Sequence, residues 1–404
     1  MKLPARFAAF VNERKQQSLY RVRRTLESPQ GPQVKIDGRV LDNFSSNDYL
    51  GLADHPDVIA AFQRGAREFG VGSGASHLVV GHSRPHQDLE DQLAAFVGYE
   101  RALLFSSGYM ANVGVINALL RRGDVLLQDK LNHASLIDAG QLSNAEMKRY
   151  AHGDVDALAA RLANAAIVDP NIKLVATDAV FSMDGDIAPL KPMIQLCERH
   201  HAMLMIDDAH GFGVLGEQGK GSLEHCSVTP EQVPVYMATL GKALGVCGAF
   251  VAGEAALVDY LVQSSRNYIY TTALPPATAM ASSTALKLLQ SEHWRRAHLN
   301  QLIKQFRDGL SEWSDLLMPS VTAIQPVVVG DADIAVRLSQ KLLQKGILVT
   351  AIRPPTVPQH TARLRITLTA AHSEEQVGRL LEVLNESLAH LLNRTQTANP
   401  SVTH

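Results

Sequence analysis

The chain has 404 residues, is 46% hydrophobic and 19% charged, and sets 38 basic against 40 acidic side chains for a formal net charge of -2. That length buries a large core and predicts one large and one smaller unit, while the charge balance provides no global field for nucleic acid or an anionic membrane. Three cysteines without CxxC spacing argue against a disulfide framework or a zinc site, and no run of about eighteen apolar residues is present to span a membrane, so a reducing, cytoplasmic setting is expected.

In chain order, residues 1 to about 30 read as an amphipathic helix whose Arg14, Lys15, Arg21, Arg23 and Arg24 make a basic face for a phosphorylated or acidic substrate. Its opening apolar stretch runs too soon into Asn12-Glu13-Arg14-Lys15 for a signal peptide. Residues 34–41 predict a hairpin around Asp37-Gly38. The next stretch, Asn43 to Leu52, is polar and irregular, with Asn47 a candidate to hold a carboxylate. Helical periodicity covers 57–69 and 86–98, and between them Gly70-Val71-Gly72-Ser73-Gly74-Ala75-Ser76-His77 offers backbone donors with little bulk, for a ligand or a tight crossing.

From Ala102 the pattern becomes α/β, with a strand at 102–105, a turn at Ser106-Ser107-Gly108-Tyr109 and a helix at 110–120. A strand, a Ser/Gly turn and a helix N-terminus form an anion site, because first-turn N–H groups lack partners and the helix dipole favours negative charge. Further strands are expected at 124–128, 174–179, 203–206, 233–237 and 249–251, mostly separated by helices, which predicts a mainly parallel sheet flanked by helices. A helix at 279–290 leads to a smaller α+β unit with strands near 323–329, 348–350 and 363–368 and a helix from 373 to about 391. The expected divisions are an N-terminal arm and hairpin at 1–50, a large α/β domain at 51–280, a small domain at 281–392 and a polar, disordered tail at 393–404.

Two stretches concentrate chemistry. Ala202 to Ile206 is an apolar run suited to a doubly covered strand, and it ends in Asp207-Asp208-Ala209-His210. Functional residues of open α/β sheets collect at such carboxyl ends. The second stretch, Thr239-Leu240-Gly241-Lys242-Ala243-Leu244-Gly245, sets one lysine among small residues after a strand, where desolvation makes an amine nucleophilic. Gly211-Phe212-Gly213-Val214-Leu215-Gly216 matches GxGxxG, but the glycine-rich Glu217-Gln218-Gly219-Lys220-Gly221 that follows cannot open the helix a dinucleotide site requires. Metal-ligand spacing is absent, and no metal is expected.

An amine, an acid, histidines and a phosphate turn match a cofactor with a carbonyl, a basic ring nitrogen and a phosphate, which describes pyridoxal 5'-phosphate (PLP). Lys242 would trap the carbonyl, and Asp207 would keep the ring nitrogen protonated. His133 would stack on the ring, His210 and Ser182 would lie near its phenolic oxygen, and Gly108, Tyr109 and Thr239 would hold the phosphate.

The segments Asn47-Asp48-Tyr49-Leu50-Gly51, Ser107-Gly108-Tyr109, His133-Ala134-Ser135, Phe181-Ser182-Met183-Asp184-Gly185-Asp186, Asp207-Asp208-Ala209-His210-Gly211 and Thr239-Leu240-Gly241-Lys242 together resemble the α-oxoamine synthases, a branch of the fold-type I PLP enzymes. The resemblance covers the chain from near residue 10 to about 390. It implies a homodimer with shared active sites, where Thr271 and Thr272 reach the neighbour's phosphate. It also implies Arg365 or Arg353 for the amino acid carboxylate, and Arg21 with Thr356 for the acyl substrate. The branch suggested by Ala351-Ile352-Arg353-Pro354-Pro355-Thr356-Val357-Pro358 and by Ala362-Arg363-Leu364-Arg365-Ile366-Thr367-Leu368-Thr369-Ala370 uses L-alanine and a pimeloyl thioester, carried on coenzyme A or acyl carrier protein. The alternatives within the family are transfer of an acetyl group to glycine, or another α-oxoamine synthase reaction with a different, longer acyl donor, and a non-catalytic interaction protein is the alternative outside it. His77 stands where relatives often have glycine or arginine, and Asp178 where glutamate is usual.

Overall fold

The structure is a computed structural model that describes residues 4–16, 20–165 and 172–397, the last seven of these by backbone alone. The N-terminal region comprises α1 (Ala5–Gln16), β1 (Gln33–Ile36), β2 (Arg39–Asn43), α2 (Pro56–Phe69) and α3 (Arg84–Val97). There follow β3 (Arg101–Phe105), α4 (Gly108–Leu119), β4 (Val125–Asp129), α5 (Ala134–Leu142), β5 (Glu146–Tyr150), α6 (Val155–Ala165) and β6 (Lys173–Asp178). Next come α7 (Leu190–Arg199), β7 (Met203–Asp207), α8 (Ser222–His225), β8 (Val235–Thr239), β9 (Ala249–Gly253), α9 (Ala255–Ser264), α10 (Arg266–Ile269) and α11 (Pro276–Ser291). The C-terminal part holds α12 (Trp294–Gly309), β10 (Ile324–Gly330), α13 (Ala332–Gln344), β11 (Ile347–Leu348), β12 (Thr350–Ile352), β13 (Ala362–Thr367) and α14 (Glu374–Thr397).

The central sheet has seven strands in the order β3-β9-β8-β7-β6-β4-β5. Five of them, β8 to β5, run parallel, and β9 is antiparallel to both of its neighbours. The buried interiors of β6 to β8 explain their uninterrupted apolar runs, since helices cover both faces. Carboxyl ends of β4, β6, β7 and β8 therefore share one edge, and register places Asp178 opposite Asp207 and Asp207 opposite Met237. This edge holds the candidate site.

The smaller unit pairs β10, β13 and β12 antiparallel, with α13 and α14 packed near them. The N-terminal hairpin turns at Asp37 and Gly38, both at positive φ, and β2 continues into this unit by pairing with β11. That pairing joins residues about three hundred apart, which local pattern does not reveal. Strand β5, Glu-Met-Lys-Arg-Tyr, escapes the sequence reading because it is a charged edge strand with no apolar run.

One expectation needs correcting. The N-terminal helix is described over Ala5–Gln16 and buries none of its residues, residues 1–3 and 17–19 of the expected helix lie outside the described residues, and residues 20–32 are irregular, so Arg21, Arg23 and Arg24 do not lie on a helix. An exposed helix has no packed face to sustain it, and Pro29 and Pro32 interrupt helical bonding. At the other end, α14 continues to Thr397 past the expected start of the tail, and residues 398–404 lie outside the described residues. No helix among the described residues is long and apolar enough to cross a membrane. All three cysteines are free.

Candidate active site

Lys242 follows β8 in a tight loop closed by a hydrogen bond from Gly245 N to Lys242 O at 2.9 Å. Its Nζ lies 2.9 Å from His210 Nε2, and the other ring nitrogen of His210 is 2.6 Å from the Tyr49 hydroxyl. The Tyr49 hydroxyl donates to Asn47 Oδ1 at 3.3 Å, so the residues of the irregular stretch after β2 reach into the sheet edge. Burial lowers the Lys242 ammonium to about 8 from its ordinary 10.5, although Asp207 and Asp178 pull the other way. The imidazole of His210 is held well below its ordinary value, by burial first and then by Lys242 and Arg365. Both groups are therefore biased toward their neutral forms.

Asp207 ends β7 and is buried. Its Oδ2 accepts from Asn112 Nδ2 at 2.7 Å, and its Oδ1 from Ala209 N at 3.0 Å. Asn112 also donates to Ser135 Oγ at 2.8 Å, tying α4 to α5. His133 caps α5: its Nδ1 lies 2.8 Å from Ser135 Oγ, and its N–H donates to Asp178 Oδ2 at 2.6 Å. Burial lowers the His133 pKa, with Asp207 opposing. Asp178 is pushed well above the ordinary carboxylate range by burial and then by Asp207.

Arg365, on β13, is buried and reaches the same place from the small unit. Its Nε donates to Ser182 O at 2.6 Å, Nη1 to Thr367 Oγ1 at 2.9 Å and Nη2 to Asn47 Oδ1 at 3.2 Å. Among the described residues it makes no ion pair, which leaves a buried guanidinium facing neutral acceptors beside Lys242 and His210. A guanidinium so placed can pair with a carboxylate.

Ser107 caps α4, accepting from Met110 N at 3.2 Å, and the Gly108 and Tyr109 N–H groups open the helix ahead of any intrahelical acceptor. The Tyr109 side chain is half exposed, with its hydroxyl on Asp138. Across this turn, Thr239 Oγ1 donates to Gly248 O at 2.9 Å and accepts from Gly241 N at 3.2 Å. Strand ends and the loops beside them thus bring Asn47, Asp207, His210, Ser182, Lys242, His133 and Arg365 together, and the turn before Gly108 follows Phe105, which aligns through Ala249 with Thr239.

Arg21, Arg353 and Thr356 lie elsewhere, around a cavity of about 840 Å³ between the N-terminal arm and the small unit. Arg14, Arg24 and Phe10 also line it, which combines cationic and apolar walls. Thr271 and Thr272 follow α10 on a turn beside Ser73 and Ala75, and among the described residues no hydrogen bond joins them to the Lys242 cluster. His77 is buried, with its ring stacked on Tyr268 at 4.8 Å and its Nδ1 2.9 Å from His82 Nδ1.

Sequence reasoning assigned no role to Tyr49, Asn112, Ser135 or Asp178. A signal existed for Asn112, an amide within the apolar helix Gly-Tyr-Met-Ala-Asn-Val-Gly-Val, where burial demands partners. The GxGxxG stretch forms a turn-rich loop with no α-helix before Ser222, in line with its dismissal as a dinucleotide site.

Residues 41–384 match the family model for class I and II aminotransferases. An 8-amino-7-oxononanoate synthase from Nitrosococcus oceani is 57% identical over 378 residues, covering 94% of this chain and all of that protein. Among solved structures, a serine palmitoyltransferase variant from S. paucimobilis with bound PLP superposes with a TM-score of 0.90 at 30% identity, over 96% of this chain and 99% of the other. The 8-amino-7-oxononanoate synthase of Francisella tularensis gives a TM-score of 0.74 at 32% identity, over 87% and 98%.

Proposed function

The chain belongs to the class I and II aminotransferase family, in the branch of the 8-amino-7-oxononanoate synthases, and from that premise we propose that it joins L-alanine to a pimeloyl thioester, giving 8-amino-7-oxononanoate, carbon dioxide and the free thiol. It is a PLP-dependent acyltransferase. The observation that carries the substrate reading is Arg365, a buried guanidinium without an acidic partner among the described residues, set beside an amine of lowered basicity.

The residues present fit PLP. A lysine biased toward its neutral form stands ready for a carbonyl, a buried carboxylate for a ring nitrogen, and a Ser/Gly turn opening a 12-residue helix for a phosphate. Lys242 would hold the carbonyl carbon, Asp207 the ring nitrogen, Ser182 and His210 the phenolic oxygen, and Gly108, Tyr109 and Thr239 the phosphate. When bound, PLP supplies an electron-accepting ring that stabilises the carbanion at the amino acid α-carbon.

Arg365 and Asn47 receive the L-alanine carboxylate, in preference to Arg353, which lines the separate cavity with Arg21 and Thr356. Lys242 Nζ removes the α-proton, a task its lowered pKa suits near neutral pH. Asp207, fixed by Asn112 and Ala209 N, holds positive charge at the ring nitrogen throughout. His133 would stack on the ring of a bound PLP, and its imidazole would donate to the thioester oxygen as negative charge develops there. Arg21 and Thr356 hold the acyl donor, whose apolar chain and anionic carrier match the mixed walls of the 840 Å³ cavity.

A second copy of the chain completes the assembly. Val71, Val79, Val80 and Tyr270 are 86%, 72%, 80% and 73% exposed, and Ala273 N bonds to Ala75 O to draw their two segments together beside Thr271 and Thr272. Apolar exposure of this kind marks an interface. Thr271 and Thr272 would then reach the neighbouring protomer's phosphate.

Mass spectrometry of the product from L-alanine and pimeloyl-CoA, run beside pimeloyl-acyl carrier protein with carbon dioxide release measured, tests the reaction. The expected product is 8-amino-7-oxononanoate, lost in Lys242→Ala. Faster turnover of glycine with a short acyl thioester would assign the chain to another synthase of the branch.

A further inference from the structure

The loop Phe181 to Asp186, which carries Ser182, is gripped from two sides. From the small unit, Arg365 donates to Ser182 O at 2.6 Å, Arg363 donates to Met183 O at 3.3 Å and pairs with Asp184, and Ser320 and Thr322 donate to Gly185 O at 2.9 and 3.1 Å. From the large unit, His152 reaches across from the turn after β5. Its Nε2 is 3.0 Å from Asp186 Oδ2 and its Nδ1 is 3.1 Å from Asp129 Oδ1, while Phe181 packs edge-on at 4.3 Å.

A neutral imidazole has one N–H and cannot donate to two carboxylates, so this bridge requires the protonated ring. Asp129 and Asp186 outweigh the burial of His152 and raise its pKa to about 10, keeping it charged through the physiological range. Asp129 is itself fixed by Leu131 N at 2.7 Å and Gly153 N at 2.9 Å, which makes the anchor rigid. The bridge is a cation clamped between the core sheet and the loop.

We propose that His152 is a positioning residue for amino acid binding: it pins the loop through Asp186, so that Ser182 O stays on Arg365 Nε and the guanidinium keeps the orientation that receives the substrate carboxylate. This rests on Arg365 being the carboxylate holder. His152, Asp184 and Asp186 also place one ligand atom each within 4.8 Å of one another, a spacing that admits a cation. Here Arg363 already pairs with Asp184 and both His152 ring nitrogens are engaged by Asp129 and Asp186, so these ligand atoms already have partners without metal.

The test uses full-length, PLP-loaded enzyme carrying His152→Gln, Asp186→Asn or both. Each single change is expected to raise the KM for L-alanine about fivefold, with kcat and the KM for pimeloyl-CoA changed less than about twofold, and the double variant no worse than either. Charge-retaining His152→Lys is expected to recover part of the loss. Amide hydrogen exchange of residues 181–186, measured on apo protein, is expected to quicken in both single variants. Equal shifts in both KM values, or a lower Tm with the alanine KM unmoved, would overturn the proposal. If His152→Gln fails to fold, Asp186→Asn carries the same comparison. Wild-type enzyme that ignores L-alanine would refute the substrate reading instead, and the exchange data would still decide the loop's dependence on His152. Mg²⁺ or Zn²⁺ is expected to leave the wild-type Tm unchanged; a rise that disappears in Asp186→Asn would make the cluster a metal site and remove the clamp.

Discussion

Lys242 Nζ and His210 Nε2 meet at 2.9 Å, two basic groups in a site where burial disfavours a proton on either. The Tyr49 hydroxyl lies 2.6 Å from His210 Nδ1 and 3.3 Å from Asn47 Oδ1; in the tautomer that carries the His210 proton on Nδ1, Tyr49 donates to Asn47 and Nε2 accepts from the amine. The ring then directs the lysine without competing for its proton.

In apo protein, borohydride trapping of a carbonyl reagent on Lys242 is expected to rise with pH around a midpoint of about 8, well below the ordinary 10.5. The folded state releases this proton first, so the lysine's contribution to stability increases as pH climbs from about 8 toward 10.5. Apo Lys242→Met should accordingly melt higher than wild type at pH values below that range. A trapping midpoint near 10, or label on another side chain, would contradict the assignment.

Asp207→Ala is expected to retain cofactor, through the phosphate turn and Lys242, but to lose turnover by at least about a hundredfold, since charge at the ring is no longer balanced. Absorbance titration separates retention from rate. Near-normal kcat would place ring protonation on another group.

Arg365→Gln and Arg21→Ala are expected to divide the substrates. The first removes donors from Ser182 O, Thr367 Oγ1 and Asn47 Oδ1, and should raise the KM for L-alanine by about tenfold or more while lowering Tm. The second should raise the acyl-donor KM more than the alanine KM. Steady-state kinetics with each substrate varied in turn checks both, and the reverse order for Arg21 would move it out of the acyl site.

Gly245 adopts φ 67°, and a Cβ there would meet Ala53 N at 2.3 Å. Gly245→Ala is therefore expected to cost about 1–3 kcal/mol and to displace the Lys242 loop. Thermal melts and PLP retention report the two effects, and an unchanged melt would mean the 52–53 backbone yields freely.

Much of the chemistry was readable along the chain. Apolar runs ending in Asp207 and Thr239 announce doubly covered strands, and parallel strands must deliver their ends to one edge, so an acid, a histidine and a lysine at such ends converge. The Ser107-Gly108 turn likewise announces its helix, because capping is a local interaction.

Tertiary structure alone decided the rest. Tyr49 on His210, Arg365 on Asn47 and His152 between Asp129 and Asp186 join residues 161, 318, 23 and 34 positions apart, and no periodicity encodes such pairings. The protonation states follow from those pairings: burial makes Lys242 a weaker base, whereas two facing carboxylates keep His152 charged. A side chain's type is written locally, but its charge depends on what the fold sets around it.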